Sequence, residues 1–227
     1  MSLLEHLDEL RRRVVKIAIA LAIGVVVGTF LAAPVLRLLV SPLESENPPI
    51  ALSPTGPTAI FFKVSAVIGL VIAMPVIVYQ LFQFTRPGLK PNEQRYILIG
   101  TPFASLSFAA GVVFAATVLI PSSLPFLQGF LSDIVQQQYS LEQYISFVTS
   151  LLIWAGLVFE TPLVMYFLSK LNIIQWMGFR KGRSAVIIGA AVVAAIITPT
   201  TDPFNMLLIM GPFLLLYEFG ILLARFA

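Results

Sequence analysis

The sequence predicts an all-α, polytopic membrane protein with six transmembrane helices, several proline bends and a concave overall shape. Three observations carry that prediction. Apolar residues make up 58% of the 227 positions and charged residues only 11%, with a mean hydropathy of +0.94; soluble domains carry about 25% charged residues. The apolar residues fall in long runs at 14–36, 60–84, 97–120, 146–169, 184–198 and 204–224. Of the 14 basic residues, all but Arg37 and Lys63 lie in segments that a six-span layout puts on one side. A water-soluble enzyme and a disordered chain are thereby excluded. Continuous runs, rather than alternating ten-residue segments, also exclude a membrane β-barrel.

Residues 2–13 read as an amphipathic surface helix. Ser2 and Glu5 have capping-box spacing, and Leu3, Leu7, Leu10 and Val14 share one face. The run at 14–36 is too long for a cleaved signal peptide and is read as a retained span. The segment 41–59 holds Pro42, Pro48, Pro49, Pro54 and Pro57, a stiff cap rather than a helix. The other sizeable loop on that side, 121–145, is expected to pack on it. The run at 184–198 is short, because about 20 apolar residues are needed to cross a bilayer. With the turn 199–203 and the run after it, it could instead form a re-entrant hairpin. Pro75, Pro102, Pro162 and Pro212 fall inside runs, where each removes an N–H and favours a bend. No internal repeat is visible, so the whole chain reads as one membrane domain.

Basic residues cluster around Arg11 to Lys16, Arg86 to Arg95 and Lys170 to Arg183, with Arg225 after the last run. The positive-inside rule then puts both termini in the cytoplasm. The net charge of +3 is a matter of topology here, and no nucleic-acid partner is implied. There is no cysteine, and His6 is the only histidine. Thiolate chemistry and a histidine-built metal site are excluded, and no catalytic set, cofactor or metal is expected.

Ionisable groups are costly inside a membrane, about 2.5–3.5 kcal/mol at mid-helix. Glu160 is the clear case, near the middle of the fourth run with nothing basic close in sequence. It needs water, a partner or a proton, and the alternative to function is a carboxyl bonded between helices. Glu218 is expected to reach the interface or pair with Arg225. Glu9 and Glu93 sit among cations; from spacing alone the simpler reading is a local ion pair, Glu9 with Arg13 and Glu93 with Lys90 or Arg95.

Together these stretches resemble the TatC family, the polytopic core of the twin-arginine protein translocase. His6-Leu-Asp-Glu9-Leu-Arg11-Arg-Arg13 is similar to the family's H-L-x-E-L-R-x-R. Ser41-Pro42-Leu43 is similar to its first-loop Pro-Leu. Pro75 to Leu89, with Tyr79, Gln80, Phe84 and Pro87, resembles P-x-x-x-Y-Q-x-x-x-F-x-x-P-x-L. Glu93 falls on the cytoplasmic-loop glutamate, and Phe159-Glu160-Thr-Pro162 on F-E-x-P. Thr198-Pro199 and Asp202 resemble the hairpin before the sixth span, and Tyr217-Glu218-Phe-Gly220 its end. The hairpin is one residue longer than a common form, and Asn205 and Met206 stand where relatives often carry Gln.

The resemblance implies a signal-peptide receptor and core subunit in the inner membrane of a prokaryote, working in an oligomeric complex. It would export folded proteins with single-span TatA- and TatB-type partners, driven by the proton-motive force. Two consecutive guanidinium groups need two carboxylates, since arginine pairs bidentately. Glu9 and Glu93 would supply them, with Arg11 and Phe84 beside the signal peptide. Glu160, Asp202, Pro42 and Asn205 would form the intramembrane polar and partner-docking set. Two other classes fit the composition. A proton-coupled carrier would use Glu160 but usually shows repeats, and a scaffold would bind no paired-arginine peptide.

Overall fold

The computed structural model describes residues 3–43, 49–85, 95–129, 138–197 and 202–227. The described residues are helical apart from short links, and five helical spans are long and apolar enough to cross a membrane. α1 (Leu3–Val40) is a single 38-residue helix, so the expected surface helix and first span run into one another. No proline or glycine separates them, and nothing local stops the helix.

α1 lies against α2 (Gly56–Thr85) through small residues that bring the two backbones together. A Cβ on Gly28 would stand 2.3 Å from the Ser65 carbonyl oxygen, and one on Gly69 would stand 2.6 Å from the Val25 nitrogen. In lipid, helices associate by such close packing, because hydrocarbon removes the hydrophobic drive.

α3 (Arg95–Phe114) passes through one π-helical turn, Ala115–Leu119, into α4 (Ile120–Gly129). Helix therefore extends into the segment expected to be loop. Pro121 has no N–H for the Thr117 carbonyl one turn back. The turn widens, and the Ile120 N–H donates to the Ala115 carbonyl instead. Pro121 then sits in the first turn of α4, where proline is tolerated.

α5 (Leu141–Phe159) and α6 (Thr161–Lys170) are one span broken at Glu160. Pro75, Pro102 and Pro212 lie inside helices that continue through them, so among the four expected interruptions only Pro162 adjoins a break. α7 (Trp176–Lys181) leads into α8 (Arg183–Ile197) and α9 (Pro203–Arg225). The 15 residues of α8 reach about 22 Å, short of a hydrocarbon core of about 30 Å. Three of the residues expected to form the turn before α9, 199–201, lie outside the described residues, as does Thr198 before them.

The spans pack in a row rather than a closed bundle. α1 rests on α2, α2 on α3 and α5, α3 on α5, α6 on α9, and α9 on α8, with no broad contact between the two ends of the row among the described residues. The core lies where α5 meets α2 and α3, around the fully buried Val64, Phe108, Ile145, Val148 and Leu151.

At one end the two loops do pack together as expected, in a clasp. The Ile50 N–H donates to the Tyr139 carbonyl and the Leu141 N–H to the Ile50 carbonyl, both at 3.0 Å. The Tyr144 hydroxyl, buried, donates to the Leu39 carbonyl at 2.7 Å. Both chain ends lie at the opposite end: His6 stacks on Phe84 near the end of α2, and the Ser169 hydroxyl of α6 donates to the Ala224 carbonyl of α9.

Candidate functional site

At the end that carries the termini, α1 and α2 build a polar patch. Glu9 and Arg13 form the i,i+4 ion pair that their spacing allows. Arg13 also donates to the Gln80 side chain of α2 at 3.3 Å. The other carboxylate oxygen of Glu9, Oε2, is buried and has no hydrogen-bond partner among the described residues. One turn earlier His6 stacks on Phe84, ring centroids 4.4 Å apart and planes 27° apart. Glu9 and Phe84 are thus brought to one corner, and Arg11 is exposed beside them on α1. Glu93 lies outside the described residues. Gln80 and His6 are part of the corner, although sequence reasoning assigned neither a role; their pairings cross between helices some 70 positions apart.

Glu160 occupies the break in span four. It lies 10 residues from the end of the span at Lys170 and 19 from its start at Leu141, so about 15 Å from one end and about 28 Å from the other. It is therefore off-centre rather than mid-span. Pro162 cannot donate to the Val158 carbonyl; the Glu160 N–H turns back to the carbonyls of Leu157 and Val158. Its own carbonyl accepts the Val164 N–H at 2.9 Å. Glu160 Oε1 is buried with no hydrogen-bond partner among the described residues. Beside the break lies an apolar cavity of about 220 Å³, lined by Leu157, Val158 and Thr161 together with Val193 of α8 and Met210 of α9.

Asp202 and Asn205 come together, but as the cap of α9. The Asp202 carboxylate accepts the Asn205 N–H at 2.7 Å and its side-chain amide at 2.9 Å, satisfying backbone that the helix start would leave open. Phe204 next to them stacks on Phe126 of α4, centroids 4.5 Å apart. Pro42 is exposed in the 3₁₀ turn Ser41–Leu43. The expected set of Glu160, Asp202, Pro42 and Asn205 is not one site. Pro162 packs against Gly220, which puts the Glu160 break about 25 Å along α9 from Asp202.

Glu218 pairs with Arg183 at 2.5 Å rather than with Arg225; Arg225 lies over the Trp176 ring, 5.7 Å from its centroid. The packing of α8 on α9 decides the choice, since it brings residues 35 apart into reach. Among the described residues no group of three or more His, Cys, Asp or Glu could hold a metal ion.

The model of the family described as Sec-independent protein translocase protein (TatC) matches residues 5–212. The chain belongs to the TatC family. A TatC of Deinococcus radiodurans is 36% identical over 98% of this chain and 85% of its own length. One of Aquifex aeolicus is 37% identical over 100% and 96%. A crystal structure described as the twin arginine translocase receptor TatC superposes with a TM-score of 0.87, at 36% identity, over 97% of this chain and 98% of that one. A second, in DDM, gives 0.88 at 37% identity over 96% and 99%. Membership makes this TatC-family chain a multi-pass membrane subunit of a protein translocase, not an enzyme. It is one component of a complex with other subunits of that translocase.

Proposed function

We propose that this chain, as a single membrane domain, is the signal-peptide receptor of a twin-arginine translocase in the inner membrane of a prokaryote. The end carrying the termini faces the cytoplasm, as its basic residues favour. The observation that carries the reading is the Glu9 corner. Arg13, itself bonded to Gln80, holds Glu9 on one side while its second oxygen, buried and without a partner among the described residues, is left for an incoming guanidinium. Phe84, backed by His6, offers an aromatic surface for the apolar part of the signal. Glu93 supplies the second carboxylate, and Arg11 flanks the corner. Glu160 serves single-span TatA- and TatB-type partners within the membrane, with Asp202, Asn205 and Pro42 contributing from the other end. The proton-motive force drives transport of the folded passenger.

Binding of a labelled twin-arginine peptide to the detergent-purified complex tests the reading. Glu9→Ala and Glu93→Ala should each weaken binding, and a lysine pair in the peptide should bind poorly. Truncating one side of a buried charge pair costs about 2–5 kcal/mol, so losses above about tenfold are expected. Unchanged affinity in the double variant would return both residues to local ion pairing.

A further inference from the structure

The break that carries Glu160 is held from span three. Phe159 and Glu160 share one planar peptide unit, and that unit is pinned at both edges. Its N–H donates back to Leu157 and Val158. Its carbonyl, that of Phe159, accepts the Ser107 hydroxyl of α3 at 2.7 Å. Most hydroxyls in these helices behave otherwise. Ser65, Ser105, Thr117, Ser123, Thr149 and Ser150 each donate one turn back within their own helix, the usual habit of helical serine and threonine. Ser107 reaches across to another helix instead.

Close packing on the same face of α3 makes that reach possible. A Cβ on Gly111, one turn from Ser107, would lie 2.5 Å from the Ala155 carbonyl oxygen, and one on Gly156 would lie 2.6 Å from the Phe108 ring. Helix and break are therefore in fixed register where the hydroxyl meets the carbonyl.

We propose that Ser107 is a positioning residue for Glu160. By fixing the peptide plane that precedes Glu160, its hydroxyl sets the direction of the Glu160 Cα–Cβ bond, and so where the carboxyl is presented. The inference rests on the proposed role of Glu160 in partner engagement.

The test uses membrane vesicles containing the full complex and a folded fluorescent reporter with a twin-arginine signal. Removing one neutral hydrogen bond corresponds to about a two- to tenfold effect. Ser107→Ala should slow transport by that factor and leave signal-peptide binding unchanged. Ser107→Thr, which keeps the hydroxyl, should restore the rate. In a Glu160→Ala background, Ser107→Ala should slow transport no further.

Slow transport by Glu160→Ala with wild-type transport by Ser107→Ala would overturn this inference alone. So would a Ser107→Thr protein as slow as Ser107→Ala, or a Ser107→Ala loss that persists in full in the Glu160→Ala background. Wild-type transport by Glu160→Ala would instead remove the role of Glu160, and the inference with it.

Discussion

Span four carries two glutamates 18 residues apart, and the structure treats them in opposite ways. Glu142, in the first turn of α5, is fully engaged. Its carboxylate accepts the Ser53 hydroxyl at 2.9 Å and the Ser140 hydroxyl at 3.2 Å. It also lies against Gly56, the first residue of α2, where a Cβ would stand 1.7 Å from Oε1. A negative charge at a helix N-terminus is favourable, so Glu142 ties the clasp, α2 and α5 together. Glu160, where α5 gives way to α6, has a buried oxygen with no partner among the described residues. The same side chain is bonded through both oxygens at one end, while nearer the other the carboxyl meets the Phe108 backbone of α3 and leaves Oε1 open among the described residues. A satisfied carboxylate argues for stability, and an open one in a costly place argues for a role outside the fold.

Glu160 provides the largest expected effect. Glu160→Ala should lower transport by more than about tenfold, the cost of removing a residue at the centre of a contact. Signal-peptide binding and the thermal midpoint of the detergent-purified protein should change little. Glu160→Gln should be milder, because the amide can still donate a hydrogen bond. Wild-type transport by Glu160→Ala would sink the functional half of the comparison, and a variant that no longer folds would make Glu160 a structural residue like Glu142.

Glu142→Ala should show the reverse pattern. It leaves the Ser53 and Ser140 hydroxyls without their acceptor and removes the charge at the start of α2, a loss of about 1–3 kcal/mol. A lower thermal midpoint in detergent, with near-normal transport well below it, is the expected outcome. Gly56→Ala should lower the midpoint as well, since the new methyl group displaces the carboxylate. A Glu142→Ala protein with an unchanged midpoint would mean that the clasp is held by its backbone bonds and Tyr144 alone.

Much of this was legible in the sequence, because the membrane makes a few features decisive. Long apolar runs and one-sided basic residues define the spans, and five prolines in 41–59 mark the cap that packs on the loop before α5. What was not legible depends on how helices are registered against each other. Four prolines looked alike, yet only Pro162 adjoins a break, where Ser107 takes up a carbonyl from a separate helix. The partner of Glu218 could not be chosen before α8 was laid on α9. Asp202 and Asn205 read as part of a polar site with Glu160. Their three-residue spacing is also that of a helix cap, and the cap is what forms.

The smallest expected effect concerns pH at the clasp. Tyr139 adjoins the Ile50 bridge, and burial pushes its phenol above the ordinary value of 10.0. The folded state thus favours the neutral phenol more than the unfolded chain does. That preference is fully present below the unfolded value, and it is lost as pH rises through the folded one. From this group, stability should be flat across neutral pH and decline only above about 10. Tyr139→Phe cannot ionise and should lose this part of the alkaline decline while keeping the Ile50–Tyr139 backbone bond. Thermal midpoints of the two proteins, compared between about pH 8 and pH 11, should separate only at the alkaline end. Curves that stay parallel throughout would mean the phenol is as well solvated in the fold as in the unfolded chain. The clasp would then owe nothing to the burial of Tyr139, and its side-chain share in stability would rest on Glu142 and Tyr144.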